Sequence, residues 1–564
     1  MERLPRRALN ARLVSVAVLL ILLWTLIGYR LTVVQWARAA EFSARGLEQR
    51  LQSETLAADR GTIFDRDGRA LAVTVEGVTV YANPHEIEDP ESVASLLAPL
   101  VSRNPTDLAQ DLDSDVAFVY VARQLDPDSA EPIRLAALPG IYFLSEPRRV
   151  YPTGDLAAHV VGFVRDGDNS GLEGIELFYD ADLAGTPGAL VVERDPQGRV
   201  IPQGEYLVEP AEQGSDLVLT IKSEVQFAAT QALAGVVERT GAASGSVVVM
   251  DPETGEVLAM ANFPSFDPND RSRTSVAALR NRAVTDVFEP GSTQKLVTIA
   301  GALESGIVAP STSFAIPNRI EILDTVFEDV TTHPDQLTVT GIVTHSSNLG
   351  TILVGDLLGT RTLYTHMHSF GQGRASGIDF PGEAEGVLRP PDEWCLATCL
   401  AGTSIGYHVS VTPLQMAMAY SIVANDGMWV QPHLVREIVD GDGDRQPAAP
   451  LARRVISVET AAQMRVMLEA VVERGTGSAA AVPGYRVGGK TGTTKKYLTD
   501  AQAYSEEEVV ASFIGMAPID DPKVVIAVVL DSPQEHASGG SGAAPVFAEV
   551  MLAALHQIGV APDG

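Results

Sequence analysis

The chain has 564 residues, of which 45% are hydrophobic and 20% charged; 72 acidic against 41 basic residues give a formal net charge of −31. The length holds several domains with at least one large core, and the composition excludes a wholly disordered or collagenous chain. The acidity excludes a general nucleic-acid binder, which needs a basic stripe to neutralise phosphates.

Residues 13–29 run without a charge, and beyond Arg30 the chain stays apolar to Trp36. With Arg30 snorkelling, this stretch spans a bilayer. Arg3, Arg6, Arg7 and Arg12 crowd the leading tail, so the positive-inside bias predicts a cytoplasmic tail over 1–12, an anchor over 13–36 and everything later outside the cytoplasm. A cleaved signal peptide is the alternative, with Ala37-Arg38-Ala39 as its small-residue site.

Residues 37–215 read as a pedestal of short strands and turns, with short apolar runs broken by Gly, Pro and Asp; 100–140 carry no recognisable motif. From 216 the texture changes. A strand over 216–221 leads to a helix that Ser223 caps and that runs to about Arg239. Residues 245–251 and 256–261 form one hairpin, and 509–516 and 524–530 another, with mostly helices and loops between them and a last helix from about Pro545. The expected fold class is α/β: one transmembrane helix, a mixed pedestal, and over 216–564 an antiparallel sheet covered by helices.

Cys395 and Cys399 fall outside the cytoplasm under this topology. Helical spacing puts them within disulfide reach, and two free buried thiols are an equal alternative. His366 and His368 have no partner ligands at a metal-binding spacing and read as ordinary residues. No metal and no cofactor is expected.

Phe288-Glu-Pro-Gly-Ser292-Thr-Gln-Lys295 opens a helix with a serine and a lysine at i and i+3, on one face, beside the free N–H groups of the helix start. Serine attacks only when a base takes its proton, and lysine serves as that base only if burial or a neighbouring cation pulls its pKa down. Ser346-Ser-Asn348 adds a hydroxyl and an amide two residues apart. Lys490-Thr491-Gly492-Thr493 adds a cation, hydroxyls and a glycine. In the expected division of labour, Ser292 is the nucleophile and Lys295 its base. Ser346 passes a proton to the leaving amine, Asn348 completes the polar set, and Lys490 keeps Lys295 neutral. Thr491, Gly492 and Thr493 form the segment that binds the substrate carboxylate, and backbone N–H groups of Ser292 and Thr493 form an oxyanion hole. Only six basic residues are lysine, Lys295 and Lys490 among them. Arginine, used nearly everywhere else, cannot deprotonate. S-x-x-K, S-x-N and K-T-G in this order match serine–lysine acyl enzymes, and together they fall well below about 1% by chance. Gly484 to Thr491 also fits the nucleotide-binding pattern G-x-x-x-x-G-K-T, but no buried strand precedes it and no helix is expected after it.

These residues resemble the class B penicillin-binding proteins, the monofunctional serine transpeptidases of bacterial wall synthesis. Arg60-Gly-Thr-Ile-Phe-Asp-Arg-Asp-Gly68 resembles the family's first N-terminal motif. Arg149-Val-Tyr-Pro152 with His159 and Gly162 resembles the second, and Gly171-Leu-Glu-Gly-Ile-Glu176 the third. Asn281-Arg-Ala-Val-Thr-Asp-Val-Phe-Glu-Pro-Gly-Ser-Thr293 is similar to the division-specific form. The resemblance implies a β-lactamase-type transpeptidase domain and a Ser292 acyl-enzyme that cross-links peptidoglycan stem peptides at the septum. It also implies a membrane location, inhibition by β-lactams, and as partners a glycosyltransferase of the shape, elongation, division and sporulation (SEDS) family and other divisome proteins. An elongation-type transpeptidase, a D,D-carboxypeptidase or β-lactamase-like hydrolase, and a non-catalytic divisome scaffold are the alternatives. His408, in Ser404-Ile-Gly-Tyr-His408, stands where the family more often has a small residue.

Overall fold

The computed structural model describes residues 6–563 except 49, 194–200, 202–205, 324, 396, 499–502 and 535–536. Arg3 of the basic tail lies outside the described residues. The chain divides into two compact units, Met1–Asp59 with Gly185–Gln213, and Arg60–Ala184 with Gly214–Gly564.

In the first unit a helix covers Arg6–Thr32, and Asn10–Ala37 has a mean hydropathy of 2.3, long and apolar enough to cross a membrane. Three of its hydroxyls are internally satisfied: those of Ser15, Thr25 and Thr32 each donate to the carbonyl four residues back, as an apolar surrounding demands. The same unit holds a three-stranded antiparallel sheet with Gly188–Glu193 between Leu51–Leu56 and Tyr206–Glu209.

In the second unit, Ala70–Ala82 pairs with both Val119–Leu125 and Ile141–Val150. Two short helices, Pro90–Leu97 and Pro105–Leu112, close a small core with Val80, Leu97, Leu108, Leu112 and Val121. Each starts with Pro after a capping Asp89 or Asn104 whose side chain accepts backbone N–H groups, the arrangement that suits the first helical turn. The motif-less residues 100–140 therefore supply much of a satellite core.

The three N-terminal motifs meet at one carboxylate. Arg60 Nε donates to Glu176 Oε2 at 2.6 Å and Arg149 Nε to Oε1 at 2.7 Å, with all three side chains almost fully buried. Arg60 also reaches the Glu176 carbonyl and Asp180, and Arg149 the Gly61 carbonyl. A Cβ on Gly162 would lie 1.8 Å from the Glu173 carbonyl oxygen, so this turn requires glycine at its φ of +77°. Glu176→Ala leaves the buried Arg149 guanidinium without a carboxylate and Arg60 with Asp180 alone, and a loss of about 3–5 kcal/mol is expected, read as a lowered denaturant midpoint with unchanged slope.

The rest of this unit builds the site. In chain order its main elements are α1 (Ser223–Thr240), β1 (Ser244–Met250), β2 (Val257–Phe263), α2 (Lys295–Glu304), α3 (Val339–His345), α4 (Asn348–Leu358), α5 (Pro413–Ala424), α6 (Val458–Arg474), β3 (Gly488–Leu498), β4 (Ala503–Ala517), β5 (Val524–Asp531) and α7 (Ala544–Gln557). The five strands form an antiparallel sheet in the order β2-β1-β5-β4-β3. Alternate residues of β1 serve different cores: Val247 and Val249 pack with α1 and α7, Val248 and Met250 with the helices that follow β2. Helices on both faces explain why β1 and β5 read as continuous apolar runs rather than alternating ones.

Two local expectations change. Ser223 does not cap α1: it is the first helical residue, Lys222 holds the cap position without a side-chain bond, and the Ser223 hydroxyl donates to Asp65. The strand Asp216–Leu219 is absent from the five-stranded sheet. It pairs in parallel with Ile63–Phe64 and antiparallel with Val435–Val439.

Candidate active site

Pro290 and Gly291 bend the chain into a short 3₁₀ turn, Gly291–Gln294, that continues directly as α2. Ser292 lies in that turn and Lys295 begins the α-helix. Gly291 has a φ of +52°, and a Cβ there would sit 2.2 Å from Thr494 Oγ1 on β3, so glycine is required beside Ser292. Tyr420 of α5 donates its buried hydroxyl to the Thr293 carbonyl, fixing the turn from behind.

Ser346 ends α3 in the left-handed conformation, φ +59°, and Ser347 caps α4 by accepting from Gly350 N. The tight break between two helices turns Ser346 and Asn348 towards the same amine. Lys295 Nζ donates to the Ser346 carbonyl at 2.6 Å and to Asn348 Oδ1 at 2.8 Å, and lies 3.3 Å from Ser346 Oγ. Ser346 Oγ in turn donates to Ser292 Oγ at 3.1 Å. A hydrogen-bonded path from Ser292 to Lys295 thus passes through Ser346.

Lys295 is fully buried, and its pKa is held well below the ordinary lysine value, first by desolvation and then by the charge of Lys490, against a smaller opposing pull from Asp329. The leading cause is therefore burial, with Lys490 second. Lys490, 1% exposed on β3, is itself pulled down to about 7 by desolvation. A lysine whose pKa is depressed on folding contributes stability that is present above 10.5 and lost as pH falls towards about 7. Lys490→Met removes that contribution to the slope; the expected result is a smaller rise in denaturant midpoint from pH 7 upward than in the parent chain.

Thr491 and Thr493 line a cleft of about 250 Å³ with Ser292, Ser346 and Asn348. Thr491 shares a 2.8 Å hydrogen bond with Thr476, and Thr493 Oγ1 accepts from Gly539 N. Gly492 does not line the cleft. A Cβ there would lie 2.5 Å from Ser512 Oγ and 3.0 Å from the Pro290 carbonyl, so its bare backbone lets β3 close against the Ser292 turn. Lys490 sits inside a strand opposite Ile514, with no helix opening after it, which overturns the nucleotide-binding pattern.

Several neighbours carried no sequence signal. Asp329 accepts from Leu349 N at 3.1 Å, from Ser347 Oγ at 2.8 Å and from Asn348 N, and the Glu328 carbonyl accepts from Asn348 Nδ2. Val330 and Thr331 line the cleft, as do Ser538 and Gly540. His408 adopts φ +62°, a conformation that favours glycine, and donates its N–H to Glu289. Cys395 and Cys399 are joined as a disulfide, Cα atoms 5.2 Å apart, which decides between the two options the spacing left open. Among the described residues no group of three or more His, Cys, Asp or Glu side chains is placed to hold a metal.

A hydroxyl on a glycine-hinged turn, joined through a second hydroxyl to a buried lysine of depressed pKa, defines a serine–lysine acyl enzyme. Residues 245–552 match the penicillin binding protein transpeptidase domain and 55–219 the penicillin-binding protein dimerisation domain. The chain is 35% identical to the penicillin-binding protein PbpB of Mycobacterium tuberculosis over 95% of its own length and 83% of that protein's. It is 34% identical to the peptidoglycan D,D-transpeptidase FtsI of Escherichia coli, over 91% and 86% respectively. The crystal structure of penicillin binding protein 3 from M. tuberculosis in complex with aztreonam superposes with a TM-score of 0.72 at 31% identity, covering 91% of this chain and 98% of that one. The chain belongs to the class B penicillin-binding proteins.

Proposed function

We propose that this chain is a peptidoglycan D,D-transpeptidase that cross-links stem peptides through an acyl-enzyme on Ser292. The observation that carries this reading is the buried Lys295 bonded to Ser346 and Asn348, with Ser346 on Ser292. A neutral amine has two N–H groups and one lone pair. The two N–H groups go to the Ser346 carbonyl and Asn348 Oδ1, neither of which can donate, and the lone pair is left to take the Ser346 proton once that hydroxyl turns from Ser292 to Lys295 and accepts the Ser292 proton instead.

Ser292 Oγ attacks the carbonyl of the penultimate D-alanine while its proton passes to Ser346, whose own proton passes to Lys295. The N–H groups of Ser292 and Thr493 take the developing oxyanion. As the C–N bond breaks, the protons return along the same path to the leaving amine of the terminal D-alanine. An acceptor amine from a second stem peptide then attacks the ester, gives up a proton to the same relay and frees Ser292. Thr491, Thr493 and the Lys490 charge hold the terminal carboxylate, with Gly492 setting the closeness of β3.

The chain's catalytic unit works outside the cytoplasm behind the N-terminal membrane helix. The division-type sequence around Ser292, and relatives such as FtsI and PbpB, support a role at the septum alongside a SEDS-family glycosyltransferase and other divisome proteins. Intact-mass analysis of the detergent-solubilised chain with benzylpenicillin tests the chemistry. One stable adduct, mapped to Ser292, is expected. Rapid release of penicilloate points instead to a hydrolase, and absence of an adduct on the folded chain to a scaffold. Localisation of a fluorescent fusion to the side wall overturns the septal role.

A further inference from the structure

Beside the cleft, the segment 328–335 makes contacts that the mechanism above does not use. His333 Nε2 lies 2.6 Å from Asp329 Oδ2 and Nδ1 lies 2.9 Å from the Pro334 carbonyl. Both ring nitrogens thus face accepting atoms, since Asp329 already takes donors from Ser347, Asn348 and Leu349 and the Pro334 carbonyl has no proton to give. A neutral imidazole has one N–H and satisfies one such contact; an imidazolium satisfies both. The pair is nearly buried, with side chains 10% and 8% exposed. The charged and titratable groups around His333 are Asp329 and Asp335 in its own segment and His345 at the end of α3, its ring centroid 6.5 Å away. Beyond Asp329 stands Lys295 on α2, on which the Asp329 charge acts. Burial opposes a charge on His333, but its hydrogen bonds to Pro334 and Asp329 and the charges of Asp329 and Asp335 outweigh it, and its pKa lies above the ordinary value.

We propose that His333 is a positioning residue for the acylation step: as an imidazolium clamped between Asp329 and the Pro334 carbonyl, it neutralises the carboxylate that anchors the Ser346–Asn348 turn, and so keeps Lys295 free to act as a base. Asp329 holds the turn through three donors, and its negative charge favours a protonated Lys295 unless a nearby cation offsets it. Loss of the His333 proton releases one of the two ring contacts and leaves Asp329 uncompensated.

The sign follows. Below the His333 pKa the ion pair is present; as pH rises through it, Asp329 loses its clamp and the Ser346–Asn348 turn that it anchors loosens. Acylation therefore falls on the alkaline side of an optimum, while on the acid side it falls because Lys295 itself is protonated. This inference rests on the proposed acyl-enzyme chemistry.

The test is the second-order rate constant for acylation of the full-length chain in detergent by a fluorescent penicillin, from about pH 5.5 to 9.5, with thermal melting as a check on folding. A bell-shaped profile is expected for the parent. In His333→Gln, which keeps a donor but no charge, the alkaline limb disappears and the acid limb moves up by about half a pH unit or more. His333→Lys, which keeps the charge, retains the parent's acid limb and stays active to higher pH. A parent profile without an alkaline fall overturns the proposal. So does a Gln profile that superimposes on the parent's, or a uniform loss of rate in both variants, which would mark a merely structural residue. Absence of any adduct on the parent overturns the acyl-enzyme reading and this one with it; a normal adduct with unmoved profiles overturns this one alone.

Discussion

Ser292→Ala forms no covalent adduct with benzylpenicillin, while its thermal midpoint stays close to that of the parent chain. Ser292 is only partly buried and its hydroxyl accepts one hydrogen bond, from Ser346. Its removal leaves no cavity of consequence and no buried unpaired charge, so the fold has little reason to respond. The chemistry is not expected to find a substitute: the Ser346 hydroxyl, bonded to Ser292 and beside Lys295, occupies the proposed relay position. Intact-mass measurement reads the result directly, and a mass shift in the variant equal to one penicillin would show that another residue is the nucleophile.

Lys295→Arg produces the second large effect, a fall in the acylation rate of about 10²–10⁴-fold, the usual span for losing a general base. Arginine keeps donors for the Ser346 carbonyl and Asn348 but brings a fixed positive charge, since its guanidinium does not give up a proton near neutral pH. Because Lys295 is fully buried among α2, α3 and α4, the larger head group also strains the packing. Lys295→Met, of similar length and without an amine, separates the two causes. The same loss in both variants assigns the effect to the missing base. A Met variant with near-normal acylation would move the base to Lys490, the other buried lysine.

Much of the site was legible because its parts are local. Ser292 and Lys295 are three residues apart on a turn that Pro290 and Gly291 announce, and Ser346 and Asn348 are two apart at a helix break. Lysine scarcity in an arginine-rich chain marked the two positions where a titratable amine is needed. The hairpins were equally plain, since runs of Val, Ile and Ala bounded by Pro, Gly and Asp turns can be read without knowing what covers them. The anchor helix needed only length and apolarity.

Other features depend on contacts between distant residues. Nothing in the spacing of Arg60, Arg149 and Glu176 says that two motifs pair with one carboxylate across 116 and 27 residues. The strand Asp216–Leu219 was legible as a strand, but its partners, Ile63–Phe64 and Val435–Val439, were not, because alternation describes a strand's faces and not its edges. Ser223 looks like a cap by residue type, yet a nearby Asp65 takes its hydroxyl. Gly492 reads as part of a binding motif and acts through what it lacks, a side chain that would strike Ser512 and Pro290.

The sequence by itself determined the inventory: the anchor, the strands and helices, and the nucleophile, amines and hydroxyls, all set by local periodicity, turn chemistry and residue type. Tertiary structure decided how strongly each group acts. Lys295 can serve as a base because its surroundings bury it, Ser346 is placed to relay a proton because a left-handed turn sets it between Ser292 and Lys295, and Asp329 and His333 join the site because a loop with no motif folds against that turn. Burial and electrostatic pairing are properties of the surroundings in three dimensions, and a one-dimensional pattern carries the groups but not their environment.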